Sequence, residues 1–146
     1  MTHGIRDVYD IALCLAEEIV EAAEREATEL GIAASVAVVD RGGNLVAAAR
    51  MDGSPVCAMP LAIDKAYTAA AVEAPTGAWT VTTQPGGEDW GFNSALGGRI
   101  IVLPGGEPLF HQGMIIGGVG ISGGSGAQDQ QCALAGARSI DIEAAT

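Results

Sequence analysis

Lys65 is the single lysine in a chain of 146 residues, and its surroundings make it conspicuous. On a predicted helix its neighbours at minus four, minus three, plus four and plus seven are Leu61, Ala62, Ala69 and Val72, so the ammonium rises from an apolar stripe. An unpaired buried ammonium is costly, which leaves two arrangements: the side chain snorkels to the edge of the core, or it meets an anionic group in a cavity. Three further residues are candidates to move a proton beside it. Glu88 and Asp89 are adjacent carboxylates in a glycine-rich stretch, and either becomes a general base if burial raises its pKa; otherwise they form an exposed acidic loop. His111 falls at the tip of a predicted hairpin, as a surface histidine or as a proton carrier or iron ligand.

Candidate binding residues surround this set. Arg50 and Asp52 flank Met51 where a strand gives way to a turn; the arginine is either a bidentate clamp for a carboxylate or, paired with Asp52, a fastening of the turn. Trp90 and Phe92 lie in the same loop as the two carboxylates and offer rings that stack on a planar ligand. Gly123 and Gly124 close a run beginning at Gly117. The amides before the following helix could cradle an anion, while strand-borne glycines more simply let a helix approach the sheet closely. Walker, Rossmann, GxSxG, HExxH and EF-hand patterns are absent from the sequence.

The composition narrows the partners. A formal net charge of -11 repels nucleic acid and anionic membranes unless a basic patch intervenes, and the six arginines are scattered. No apolar run is long enough to span a bilayer, and the N-terminus has no basic region followed by an apolar stretch. Cys14, Cys57 and Cys132 are odd in number and lack CxxC spacing, which suits buried free thiols in a reducing compartment better than a disulfide framework and gives no support to a structural zinc site. The expected location is cytoplasmic.

The elements that must position these groups follow from periodicity. Apolar residues at Val8, Ile11, Ala12, Leu15, Ile19, Ala22, Ala23, Ala27 and Leu30 define one face of a long helix that Gly31 terminates. Ile32–Val39 and Leu45–Ala49 form a hairpin across Asp40–Asn44, and a second helix spans Met59–Glu73. Between Pro75 and Gly98 the periodicity fails, and a functional loop is expected there. Ile100–Leu103 is a further strand, and Pro108–Phe110 pairs with Met114–Ile121 in a hairpin. Ser125 and Gln128 have capping-box spacing at the start of a last helix, which runs through Ala133, Ala137 and Ile140. Residues 1–146 therefore form a single α+β domain around an antiparallel sheet.

The ordered set Ala37–Gly43, Arg50–Gly53, Lys65-Ala66, Gln84–Gly87, Pro104–Gly106 and Gly117–Gly124 resembles the GlcG/HbpS family, also found as the C-terminal domain of some corrinoid adenosyltransferases. The resemblance covers nearly the whole chain. It implies a profilin-like fold, a five-stranded antiparallel sheet with packed helices, assembling into dimers and often larger rings. Some members bind haem, others are linked to glycolate or diol utilisation, and a few resemble small-molecule enzymes. The haem-binding members use a histidine nearer the N-terminal helix, and that helix has none here. Typical relatives have apolar residues where this chain has Glu88 and Asp89, and carboxylates there repel the propionates of a porphyrin.

The favoured reading is a homo-oligomeric small-molecule-binding domain holding haem or a small carboxylate near a subunit interface. The alternative is a cofactor-independent isomerase, tautomerase or lyase in which Lys65 and Arg50 stabilise negative charge while Glu88, Asp89 or His111 moves a proton. A third reading is an accessory protein whose assembly matters more than its pocket.

Overall fold

A computed structural model describes residues 3–139. The first helix, α1, spans Leu13–Glu29 and begins five residues later than the apolar stripe suggests. The delay has a non-local cause. One Asp10 carboxylate oxygen accepts hydrogen bonds from the amides of Ile11 (3.0 Å) and Arg41 (2.8 Å), and the Ile11 amide also points at the Ile116 carbonyl (3.2 Å). These tethers hold residues 8–12 extended along the sheet, where Ile11 still reaches the core. The helix ends as expected. Gly31 takes a φ of +71°, and the Ile32 amide returns to the Ala27 carbonyl at 3.0 Å.

Strands β1 (Ser35–Asp40), β2 (Leu45–Arg50), β3 (Gly106–His111) and β4 (Met114–Ser122) form one antiparallel sheet in the order β2-β1-β4-β3. The sheet has four strands where five were expected. Ile100–Leu103 is the segment that differs, because threonine hydroxyls take the place of a neighbouring strand. The Thr68 hydroxyl receives the Ile101 amide at 3.0 Å, and the Thr80 and Thr76 hydroxyls donate to the carbonyls of Val102 and Leu103. With its polar groups satisfied in this way, the segment has no need of a ladder.

Helix α2 (Ala58–Val72) packs on β4, β1 and β3, whereas α1 and α4 (Gly126–Arg138) pack on each other and across the opposite face. Strand alternation sends Val36, Val38, Val119 and Ile121 into the larger core with α1 and α4. On the α2 side β4 presents Gly118 and Gly120 to Ala62, Ala66 and Ala70, so backbone rests nearly on backbone. The expected capping box is formed: the Gln128 amide donates to Ser125 Oγ (3.2 Å), and the Ser125 amide donates to Gln128 Oε1 (2.9 Å). Ile140 lies outside the described residues.

Between α2 and β3 the chain is irregular, with 3-10 turns at Thr76–Trp79 and Phe92–Ser94 and a short turn α3 (Ala95–Gly98) in which Leu96 and Gly97 are left-handed. Trp79 packs against Phe92 with ring centroids 5.0 Å apart. No helix among the described residues is long and apolar enough to cross a membrane.

Candidate functional site

Lys65 is buried, and its ammonium has internal partners. Nζ donates to Asp129 Oδ2 at 3.0 Å and to the Ile121 carbonyl at 2.9 Å. The other oxygen of Asp129 accepts the Gly124 amide at 2.9 Å, so one ion pair joins α2, the end of β4 and the first turn of α4. Asp129 is the residue that sequence reasoning missed. The available signal was a lone lysine on a greasy stripe, which demands a buried counter-charge, and an acidic residue in the first turn of the last helix.

The remaining candidates are dispersed. Arg50 is exposed and donates from Nη2 to the Ser54 carbonyl at 2.7 Å, while Asp52 is exposed without an ion pair to it. Glu88 is exposed, Asp89 is half-buried and Trp90 is 64% exposed; Phe92 is turned onto Trp79. A side chain at Gly123 would strike the Ala33 carbonyl, and the Gly124 amide is engaged by Asp129. Among the described residues no hydrogen bond or ion pair joins Lys65, Glu88, Asp89 and His111 to one another. No group of three or more His, Cys, Asp or Glu is placed to hold a metal ion among them either.

A second buried acid also escaped notice. Glu107 on β3 is 7% exposed, and Gln130 donates from its side-chain amide to Oε1. Burial raises its carboxyl above the ordinary 4.5, and the bond from Gln130 and the charge of Arg138 pull it part of the way back. The native fold thus holds this proton more tightly than the unfolded chain. The associated stability is complete below pH 4.5 and is lost as pH rises through the elevated native value. Glu107→Gln is therefore expected to gain in melting temperature over the wild type as pH rises toward neutrality, the two curves converging in acid. A gap that stays constant with pH would show that this carboxyl does not titrate abnormally.

Of the three cysteines expected to be buried thiols, Cys14 and Cys57 are exposed, at the start of α1 and just ahead of α2; Cys132 is buried, and burial pushes its thiol up to about 11.

Three surface clefts differ in charge. The one between α1 and β2, about 570 Å³, is lined by Leu13, Val20 and Val46 with the carboxylates Glu17 and Glu21. A second, also about 570 Å³, places Arg25 among Glu21, Glu24 and Glu29. The third, about 280 Å³, lies between the N-terminal segment and the β3–β4 turn, where Arg6, Val8, Arg41, Met114 and Ile115 contribute alongside Asp7 and Glu73. None of the three is lined by Lys65, Trp79 or Trp90.

His111 stands beside the third cleft. It is the cross-strand partner of Met114, so the two side chains leave the same face of the hairpin. Its ring meets Tyr9 edge-on, with centroids 5.0 Å apart at 88°, and Tyr9 in turn donates its hydroxyl proton to Gln112 Oε1 at 3.2 Å. Among the described residues the imidazole nitrogens of His111 have no hydrogen-bond partner.

Residues 11–138 match the family model of haem-degrading HbpS-like proteins. The chain is 34% identical over 125 residues to an uncharacterized 15.0 kDa protein of the dhaT–dhaS intergenic region of Citrobacter freundii, covering 86% of this chain and 88% of that one. The crystal structure of Klebsiella pneumoniae ORFY superposes with a TM-score of 0.92 at 34% identity, covering 95% of this chain and 96% of that one. A PduOC–haem complex superposes with a TM-score of 0.89 at 31% identity, covering 94% of this chain and 99% of that one.

Proposed function

The chain belongs to the HbpS-like family, and from that premise we propose that it is a haem-binding domain whose iron donor is His111. The observation that carries this is the state of that side chain: a half-buried imidazole with uncommitted nitrogens, oriented by Tyr9, beside the exposed thioether of Met114. Haem asks little of a protein beyond one or two axial donors and apolar cover, and the side chains here are of those kinds. The bound group would supply a redox-active iron; the chain's part is to present the imidazole, fix its orientation and cover a macrocycle edge with the exposed Val8 and Met114. The family's haem-binding members use a histidine nearer the N-terminal helix; α1 contains none, and the donor proposed here lies on the β3–β4 hairpin against Tyr9, just ahead of α1.

Haemin titration tests the reading. A Soret band that shifts and saturates with the wild type is expected, with apparent affinity falling about tenfold or more in His111→Ala, as for loss of one axial bond worth at least 1.4 kcal/mol. A spectrum indistinguishable from free haemin would overturn the proposal. Glu88 and Asp89 lie in the loop after α2 and line none of the three clefts, so their substitution by amides should leave the titration unchanged.

Association with further copies of the chain belongs to the same reading. The edge strand β2 has an open side, and Leu45 and Leu13 are more than half exposed.

A further inference from the structure

We infer that the cleft beside His111 reads two carboxylates, through Arg6 and Arg41, so that the ligand it selects is a dicarboxylate and not merely a planar apolar ring. This rests on the haem reading above and deepens it.

The chain has seven lysine and arginine side chains, and five of them are already engaged. Lys65 is paired with Asp129, and Arg99 binds Asp64 at 3.1 Å while lying 3.7 Å over the Tyr67 ring. Arg50 is engaged by the Ser54 carbonyl, Arg138 faces the charge of Glu107, and Arg25 sits among three glutamates. Arg6 and Arg41 remain. Among the described residues neither guanidinium makes a hydrogen bond or ion pair, and both line the same cleft. In a protein with a net charge of -11, an anionic guest is repelled almost everywhere, so a site holding two uncommitted guanidiniums is where it can settle.

The arrangement is built by the fold. Arg41 is fixed because its own amide donates to Asp10, the same carboxylate that holds the N-terminal segment extended; the tether that delays α1 therefore brings Arg6 and Arg41 to one cleft. Asp7 and Glu73 line it too, and their charges oppose the guest. Glu73 closes α2 in a left-handed conformation, a position that glutamine also tolerates. The two carboxylates make the cleft a discriminator: a ligand without acidic groups gains little from the arginines, and one with them must engage both to offset the repulsion.

Haemin and haemin dimethyl ester, identical in ring and iron, form the test. The wild type is expected to prefer the diacid by at least tenfold, a preference that shrinks as salt is raised. Arg6→Ala/Arg41→Ala should remove the preference, lowering diacid affinity by about tenfold to a hundredfold with little effect on the ester. Glu73→Gln should tighten the diacid by a few-fold, which a purely structural role would not do. Equal binding of diacid and ester by the wild type, or a preference unchanged in the double variant, would overturn the inference while leaving the haem reading intact. Binding of neither compound would overturn the haem reading and this inference together.

Discussion

Lys65→Met is expected to lower the unfolding free energy by about 3–5 kcal/mol, the usual cost of leaving one member of a buried ion pair without its partner. For a domain of this length that corresponds to a melting temperature lower by roughly 10–15 °C. The loss comes from what stays behind. Asp129 is 3% exposed, and without the ammonium it must either hold a charge in the interior or take up a proton. Asp129→Asn should cost a similar amount by stranding the lysine. The double replacement Lys65→Met/Asp129→Leu should recover most of the loss, because apolar side chains of similar size are tolerated where an ion pair stood. Recovery in the double variant, read by thermal or chemical denaturation, is what distinguishes a buried pair from two independently important residues. A Lys65→Met protein as stable as the wild type would mean that the ammonium contributes nothing to the fold and would return it to the list of ligand-facing groups.

Gly120→Ala should be comparably damaging, costing about 3 kcal/mol through overpacking. An added Cβ would overlap the Ala62 carbonyl oxygen and lie 2.5 Å from the Ala66 amide nitrogen, both main-chain atoms of α2. Side chains can change rotamer to relieve crowding, but a helix backbone can only move away as a unit, opening the interface along β4. For the same reason Ala62→Gly should not rescue the variant. Rescue by that second substitution would place the conflict between side chains and refute the backbone-on-backbone account.

The second of these effects falls where the fold was legible from the sequence, the first only in part. The amphipathic stripe of α1, the hairpin around Asp40–Asn44, the Ser125–Gln128 box and the close packing of the β4 glycines are signals carried within a few residues of one another. Features that depend on distant partners were not legible. The stripe continues backward through Ile11 and Val8, and nothing local reveals that Asp10 will be bonded to the amide of Arg41 and draw those residues out of the helix. Ile100–Leu103 has the composition of a strand, but its backbone is satisfied by threonines 22 to 33 positions away.

The site divides in the same way. Lys65 announced that it needed an anion, while the identity of that anion depended on a contact 64 residues along the chain. The cleft with Arg6 and Arg41 is assembled from the N-terminal segment, the β1–β2 turn, the end of α2 and the β3–β4 turn, four pieces with no shared motif. Only His111 was visible as a candidate before its surroundings were known.

The link between residues 65 and 129 also bears on how the domain is made. A ribosome delivers α2 and the first hairpin well before the helix that carries Asp129, so throughout that interval the nascent polypeptide holds an ammonium with nowhere dry to go. Docking of α2 onto the sheet is penalised until the last helix emerges. Any partly folded form in which α2 is docked but α4 is not therefore carries the full cost of a buried ammonium without its carboxylate.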